Sequence, residues 1–277
     1  MAAVTSAAAA LGLPTDDVAI MHNSNKLALR LLPCDVFARV APADKEVAAA
    51  FEVELAQQLA AAGAPAAALE ARVEPLVHQC DGFAVTLWTH YERRSPEQLP
   101  PADFAHALER LHGAMRTVDL ATSHVTDRIE EAQRLVTNRD RTPALGTAGR
   151  ELLLDTLNSA RERLERSGAV EQVLHGEPHP GNVLNTAGGP RFIDLETCCR
   201  GPVEFDVAHV PEDVSRHYLG IDQDLLGECR RLVLAMVAAW RWDTDDEFPD
   251  GLRHGRGILA LLRHGPPWPT LGALTSP

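Results

Sequence analysis

The sequence predicts an α+β fold in two parts: a small antiparallel sheet with one inserted helix over residues 1–90, then a mainly helical part over residues 91–277. Three observations carry this. Short apolar runs with partial two-residue alternation, broken by Pro, Gly and Asn, crowd the first part, which is the patterning of strands and hairpins. After Trp88 the period lengthens, with Phe104, Leu108 and Leu111 on one helical stripe. Between the later helices lies a stretch, residues 173–196, in which two apolar runs too short for helices bracket a polar loop.

Taken in order, the alanine-rich residues before Pro14 suit a short helix. Val18 to Met21, Lys26 to Leu32 and Cys34 to Val40 read as a three-stranded antiparallel meander, interrupted by residues 22–25 and by Pro33. Asp44 is placed to cap a helix running to about Ala62, with Val47, Phe51, Leu55 and Leu59 at helical spacing. Gly63 and Pro65 end it. Leu76 to Gln79 and Phe83 to Trp88 come next as two strands joined by an Asp81-Gly82 turn. Helices are expected over 102–115, 124–136, 148–166, 222–242 and 251–263, with a helix-packing or capping role for His112 and a Pro-rich surface tail from Pro266.

In residues 173–196, Pro178 and Pro180 forbid helix and Gly181 allows a sharp turn. Apolar strand, polar loop, apolar strand and carboxylate together suggest a buried hairpin with ligands at its mouth. His175-Gly176-Glu177-x-His179-x-x-Asn182, followed by Ile193-Asp194-Leu195-Glu196, resembles the catalytic loop and metal-binding strand of the aminoglycoside phosphotransferase superfamily, which includes choline-kinase-like members. Residue types, spacing and the second strand all agree. One position departs: the usual loop reads His-Gly-Asp-x-His-x-x-Asn, and Glu177 stands in the place of the Asp.

The resemblance implies a two-lobed protein-kinase-like fold and a small-molecule kinase that moves the γ-phosphate of ATP or GTP to a hydroxyl with Mg²⁺. Phosphoryl transfer asks for metal on the phosphates, a positioned hydroxyl and a carboxylate for its proton. By resemblance Glu177 takes the base position, and Asn182 and Asp194 hold metal. Ser24 and Asn25 form the turn over the phosphates, and Arg39 on the third strand binds them, paired with Glu52 or its rivals Glu54 and Glu46. Thr89 and His90, with Tyr91, form the hinge against the base. Asp206, in Gly201-Pro202-Val203-Glu204-Phe205-Asp206, braces the loop; His175, His179 and Glu196 support it or meet the acceptor. The acceptor is an antibiotic-like compound or another hydroxylated metabolite, with a role in antibiotic resistance among those implied.

Two other readings compete. A catalytically degenerate nucleotide-binding protein would explain Glu177 and the Arg in place of Lys, although Asn182 and Asp194 are both intact. A His/Glu metal enzyme would use His175, Glu177 and His179, which alternate and would share one face of a strand, but two prolines interrupt them.

Composition narrows the partners. A net charge of -13 and pI near 5.3 argue against nucleic acid and are compatible with a cationic acceptor. Cys34, Cys80, Cys198, Cys199 and Cys229 are odd in number and contain no Cys-x-x-Cys, which fits a reducing cytoplasm rather than a disulfide framework. The N-terminus lacks signal-peptide patterning, and the most apolar run, Leu232 to Trp240, is about half of the ~20 residues a membrane helix needs. A soluble monomer or homodimer is expected.

Overall fold

A computed structural model describes residues 1–23 and 26–275 of the chain. The elements of the first part are α1 (Ala2–Ala10), β1 (Thr15–Asn23), β2 (Leu27–Pro33), β3 (Val36–Pro42), α2 (Glu46–Ala61), β4 (His78–Cys80) and β5 (Phe83–Thr89). Then come α3 (Pro101–Met115), β6 (Ser123–His124), α4 (Val125–Thr137), α5 (Thr147–Ser167), β7 (Glu171–Leu174), β8 (Val183–Thr186), β9 (Gly189–Phe192) and β10 (Cys199–Pro202). The chain closes with α6 (Val203–Val207), α7 (Glu212–Ser215), α8 (Gln223–Arg241), α9 (Gly251–His264) and α10 (Gly272–Thr275). They pack as two compact units, one of residues 1–99, 113–120 and 181–197, the other of 100–112, 121–180 and 198 onward.

In the first unit the strands run in the order β1-β2-β3-β5-β4, with every pairing antiparallel. Alternation dictates the two faces. On β3, Val36, Ala38 and Val40 point into a core with Leu29 and Leu31 of β2 and Val4, Ala7 and Ala8 of α1. Residues of odd register therefore face the other way, and Arg39 is among them. Asp81 and Gly82 turn β4 into β5 with φ of +51° and +79°, the paired positive φ that a two-residue hairpin turn requires.

α2 departs from the expected face. Val47 is 83% exposed, and the buried side is Ala49, Glu52, Val53, Leu55, Ala56 and Leu59. Alanines supply much of that face, and a stripe drawn only through the large apolar residues overlooks them. Asp44 lies in a 3-10 turn (Ala43–Lys45), and the helix begins after Lys45 without a side-chain cap.

The expected hairpin around the polar loop is also corrected. Its first run, β7, pairs antiparallel with β10, and its second, β9, pairs with β8. The hairpin is thus β8–β9, turned at Ala187-Gly188, with Gly189 opening β9 at φ +92°. Its outer strand is stitched to the segment after α2: Ala67 N–H donates to the Phe192 carbonyl and Phe192 N–H to the Pro65 carbonyl, both at 2.8 Å. That anchors residues 181–197 in the first unit.

The second unit is helical, with a three-stranded sheet of order β6-β10-β7. α4 starts one residue later than expected because His124 is its cap: the ring accepts from Thr126 N–H at 3.1 Å, and Asp127 accepts from His124 N–H at 2.7 Å. Asp222 caps α8 by accepting from the N–H groups of Asp224 and Leu225. α8 buries Leu225, Leu226, Leu232, Val233, Leu234 and Met236, each large side chain contributing about 1.5–3 kcal/mol against exposure. No described helix is long and apolar enough to cross a membrane.

Candidate active site

The polar residues of the first unit converge on the sheet face opposite α1. β3 sends Arg39 out between its register partners Ala28 on β2 and Thr86 on β5. Its guanidinium splits between two carboxylates, Nη1 to Glu52 Oε1 at 2.6 Å and Nη2 to Asp194 Oδ1 at 2.7 Å. Of the helix acids considered from sequence, Glu52 is the one that pairs. It sits on the buried side of α2, and the helical turn carries Glu46 and Glu54 elsewhere.

Glu52 has a second cation. Lys26 Nζ lies 2.6 Å from Glu52 Oε2 and also bonds Glu196. Three carboxylates and two cations thus share one cluster. Burial works against the Arg39 charge, but Glu52 and Asp194 outweigh it, and its pKa stands above the ordinary arginine value.

Asp194 holds φ +65°, a left-handed conformation that Asp tolerates better than most residues. It comes just after β9, whose register with β8 brings Asn182 close: Ile193 N–H donates to the Asn182 carbonyl at 3.0 Å. Arg39, Asn182, Asp194, Glu196 and Lys26 all line a cleft of about 420 Å³. Its apolar walls include Phe37, Trp88, Phe192 and Ile193, and this size and mix suit a small organic ligand.

Thr89 and His90 line the same cleft. The Thr89 N–H is already engaged by the Ala68 carbonyl at 2.9 Å, so that donor is not presented to a ligand. His90 Nδ1 stands 3.1 Å from Asp35, and burial together with Arg30 holds its pKa below the usual histidine range. Ser24 and Asn25 lie outside the described residues.

The second unit holds the other predicted residues. Asp206, fully buried near the end of α6, accepts from His175 N–H with Oδ2 and from Gly176 N–H with Oδ1, both at 2.8 Å. His112 Nε2 donates to Asp206 Oδ2 at 2.9 Å, and its Nδ1 is 2.6 Å from the Tyr218 hydroxyl. Burial alone would raise the Asp206 pKa, but the bonds and charge of His112, with His175 and the Gly176 N–H, hold it below the usual carboxylate range.

Gly176 takes φ +90°, which a side chain would oppose. The loop then turns: Glu177 N–H donates to His175 Nδ1 at 3.3 Å and His179 N–H to the Glu177 carbonyl at 2.8 Å. Such a turn breaks the strand alternation that a His175, Glu177 and His179 metal site would need. Glu177 itself is ion-paired to Arg128 at 2.5 Å.

Among the described residues, the one grouping of three His, Cys, Asp or Glu with ligand atoms in mutual reach is Glu52, Asp194 and Glu196, within 4.8 Å of one another. An all-oxygen set of this kind fits Mg²⁺, which takes a few carboxylates and fills its shell with phosphates and water. Asp194 is the motif residue of the three; Glu196 lies beside it, and both oxygens of Glu52 are taken by Arg39 and Lys26.

Sequence reasoning passes over Lys26, Arg128 and the His112 contact. Lys26 is one of only two lysines in the chain, a rarity that could draw attention. Arg128 lies three residues after Val125 and beside Ile129 on the buried stripe of α4, and His112 four after Leu108 on that of α3. A polar residue on an apolar stripe is the signal in both cases.

The model of the family described as the phosphotransferase enzyme family, APH, matches residues 22–245, so the chain belongs to that family and is a phosphotransferase. No curated protein matches it by sequence. Among solved structures it resembles the GDP and kanamycin complex of APH(2'')-IIIa, at 14% identity and TM-score 0.70, covering 94% of this chain and 98% of that one. It also resembles the choline kinase LicA from Streptococcus pneumoniae, at 13% identity and TM-score 0.66, covering 95% and 98%. A third likeness is to the amicoumacin kinase hAmiN in complex with AMP-PNP and Ca²⁺, at 11% identity and TM-score 0.69, covering 89% and 88%. The fold is α+β and protein-kinase-like, with an antiparallel-sheet N-terminal lobe and a helical C-terminal lobe.

Proposed function

We propose that this phosphotransferase is a Mg²⁺-dependent small-molecule kinase that transfers the γ-phosphate of ATP or GTP to a hydroxyl. The observation that carries the reading is Arg39, held between Glu52 and Asp194 in a cleft of nucleotide-compatible size within the matched region. Residues 1–90 act as the nucleotide-binding lobe and 91–277 as the catalytic and acceptor-binding lobe.

Arg39 and Lys26 neutralise phosphate oxygens, Ser24 and Asn25 donate hydrogen bonds to them, and Thr89 and His90 border the base. Asn182 and Asp194 would hold the metal with Glu196, and the metal would supply neutralisation of phosphate charge. Glu177 receives the proton of the acceptor hydroxyl. The acceptor oxygen then bonds to the γ-phosphorus as its bond to the bridging oxygen breaks, and the nucleoside diphosphate leaves. Asp206 braces the loop that carries Glu177, and His175 and His179 support it or meet the acceptor.

The acceptor is an antibiotic-like compound or another hydroxylated metabolite, and the net charge of -13 favours a cationic one. The kanamycin, choline and amicoumacin relatives support this breadth without choosing within it. The protein acts in the cytoplasm as a monomer or homodimer, and its five cysteines are free thiols.

The test is transfer of labelled γ-phosphate from ATP and from GTP to a panel of hydroxylated antibiotics, amino alcohols and sugars. Transfer is expected with Mg²⁺ and absent with EDTA. An Asp194→Asn variant should melt as the parent does and transfer nothing. Normal turnover by Asp194→Asn would remove the metal assignment.

A further inference from the structure

A buried arginine costs several kcal/mol unless its charge and its N–H groups are met. Arg128 leaves α4 on the stripe of Val125, Ile129 and Ala132, with its side chain 11% exposed. Its guanidinium lies 5.6 Å from the ring centre of Phe205 and 5.9 Å from that of Trp240. Two of its nitrogens reach consecutive residues of the polar loop. Nη1 donates to the Gly176 carbonyl at 3.1 Å and Nη2 to Glu177 Oε1 at 2.5 Å.

The Gly176 residue is therefore gripped at both ends, its N–H on Asp206 and its carbonyl on Arg128. Because the guanidinium is planar, the positions of its two donors are linked. Holding the Gly176 carbonyl thus fixes where the Glu177 carboxylate sits relative to the loop backbone. A point-charge ammonium has no such second donor at a fixed angle. Burial works against the Arg128 charge, but the Glu177 carboxylate outweighs it, and the pKa stands above the ordinary arginine value.

We propose that Arg128 is a positioning residue matched to Glu177, fixing a carboxylate that is carried on a side chain one methylene longer than aspartate. The added methylene gives the side chain one more rotatable bond, and the guanidinium removes that freedom by holding Oε1. Arg128 touches no reacting atom. It acts by keeping the carboxylate at the distance where it takes the acceptor's proton. The inference rests on the reading of Glu177 as proton acceptor.

Four proteins test it: wild type, Arg128→Met, Glu177→Gln and the double variant. Methionine keeps an unbranched stem and deletes both donors, along with the guanidinium over Phe205 and Trp240. Arg128→Met is expected to lower kcat about 10²-fold, the order seen when a reacting group is misplaced by about 1 Å, with nucleotide KM unchanged. On the Glu177→Gln background the same change should cost nothing further, because the carboxylate it positions is gone. A merely structural arginine would instead lower both backgrounds by the same factor.

Equal losses on the two backgrounds, or wild-type kcat in a folded Arg128→Met protein, would overturn the proposal. If Arg128→Met melts below the assay temperature, Arg128→Lys replaces it: the lysine keeps the charge but not the two-point grip, so kcat should still fall, and wild-type kcat would overturn the proposal. Glu177→Gln with full activity would sink the proton-acceptor reading itself. An inactive Glu177→Gln beside an unimpaired Arg128→Met would sink only the role of Arg128.

Discussion

One methylene separates Glu177 from the aspartate that the resemblance leads one to expect there, and its carboxylate is engaged by Arg128. In model peptides the two carboxyls differ little, about 3.9 against 4.3, so reach rather than basicity decides what the exchange does. Glu177→Gln should cut kcat about 10²-fold or more while leaving nucleotide affinity unchanged, measured by turnover and by nucleotide titration. Glu177→Asp shortens the arm and loosens the Arg128 contact, so it should be impaired or neutral. A large gain on restoring aspartate would mean that glutamate silences the site and would favour a nucleotide-binding protein. Arg39→Ala should weaken nucleotide binding by about 1.5–3 kcal/mol, the usual worth of a charge-assisted contact. An unchanged nucleotide Kd would remove Arg39 from the phosphate site. At this scale the sequence is legible wherever a residue type is restricted by its chemistry. Glu52 comes from aligning the resemblance on the end of α2 and Pro65, whereas Lys26 looks like the first residue of a strand and Arg128 shows only that a charge falls on an apolar stripe. What reveals both is the carboxylate each meets, far along the chain.

The element that organises the second unit is the loop after β7, and α6 holds it. Two N–H groups of the loop and one imidazole end on the single carboxylate Asp206, which is buried out of reach of solvent. Asp206→Ala leaves those donors buried and unmet. It should destabilise the fold by about 3–5 kcal/mol, as removing one partner of a buried ionic contact does, with the midpoint of denaturant unfolding as the readout. A midpoint equal to wild type would mean the loop is held elsewhere. The strands of residues 15–89 are legible because β1-β2-β3 and β4-β5 pair as consecutive strands and one face alternates, although the β3–β5 pairing that joins the two groups spans α2 and is not encoded locally either. The partner of β7 is not, because its mate, β10, lies beyond the whole β8–β9 hairpin, and no local pattern encodes that pairing. The helix stripe through Val47 fails for another reason. Alanine weighs little in a hydrophobic pattern, yet it lets α2 lie close to its neighbours.

Across the molecule, ionisable groups are buried in numbers that make stability depend on pH, and His209 is the clearest case. It is 6% exposed, its Nε2 has no hydrogen-bond partner among the described residues, and its ring packs edge-on against Phe205. Burial, reinforced by the nearby Arg128 charge, pushes its pKa down to about 3 from 6.5. Between those values the unfolded chain binds a proton that the folded protein refuses, so stability rises with pH there and falls on acidification. One such group sets a slope of up to about 1.4 kcal/mol per pH unit. Asp206 works in a lower window. Its folded pKa lies below its unfolded value of 3.8, so its contribution is intact above that pH and is lost only on further acidification. His78 and His90, also held low by burial, add to the His209 slope, which makes the difference from a variant the informative quantity. His209→Gln, uncharged throughout, should flatten the fall in unfolding free energy between about pH 6.5 and 4.5 relative to wild type, measured by urea denaturation at a series of pH values. Parallel curves for the two proteins would show that His209 is protonated equally in the folded and unfolded states, and the buried neutral imidazole against Phe205 would have to be abandoned.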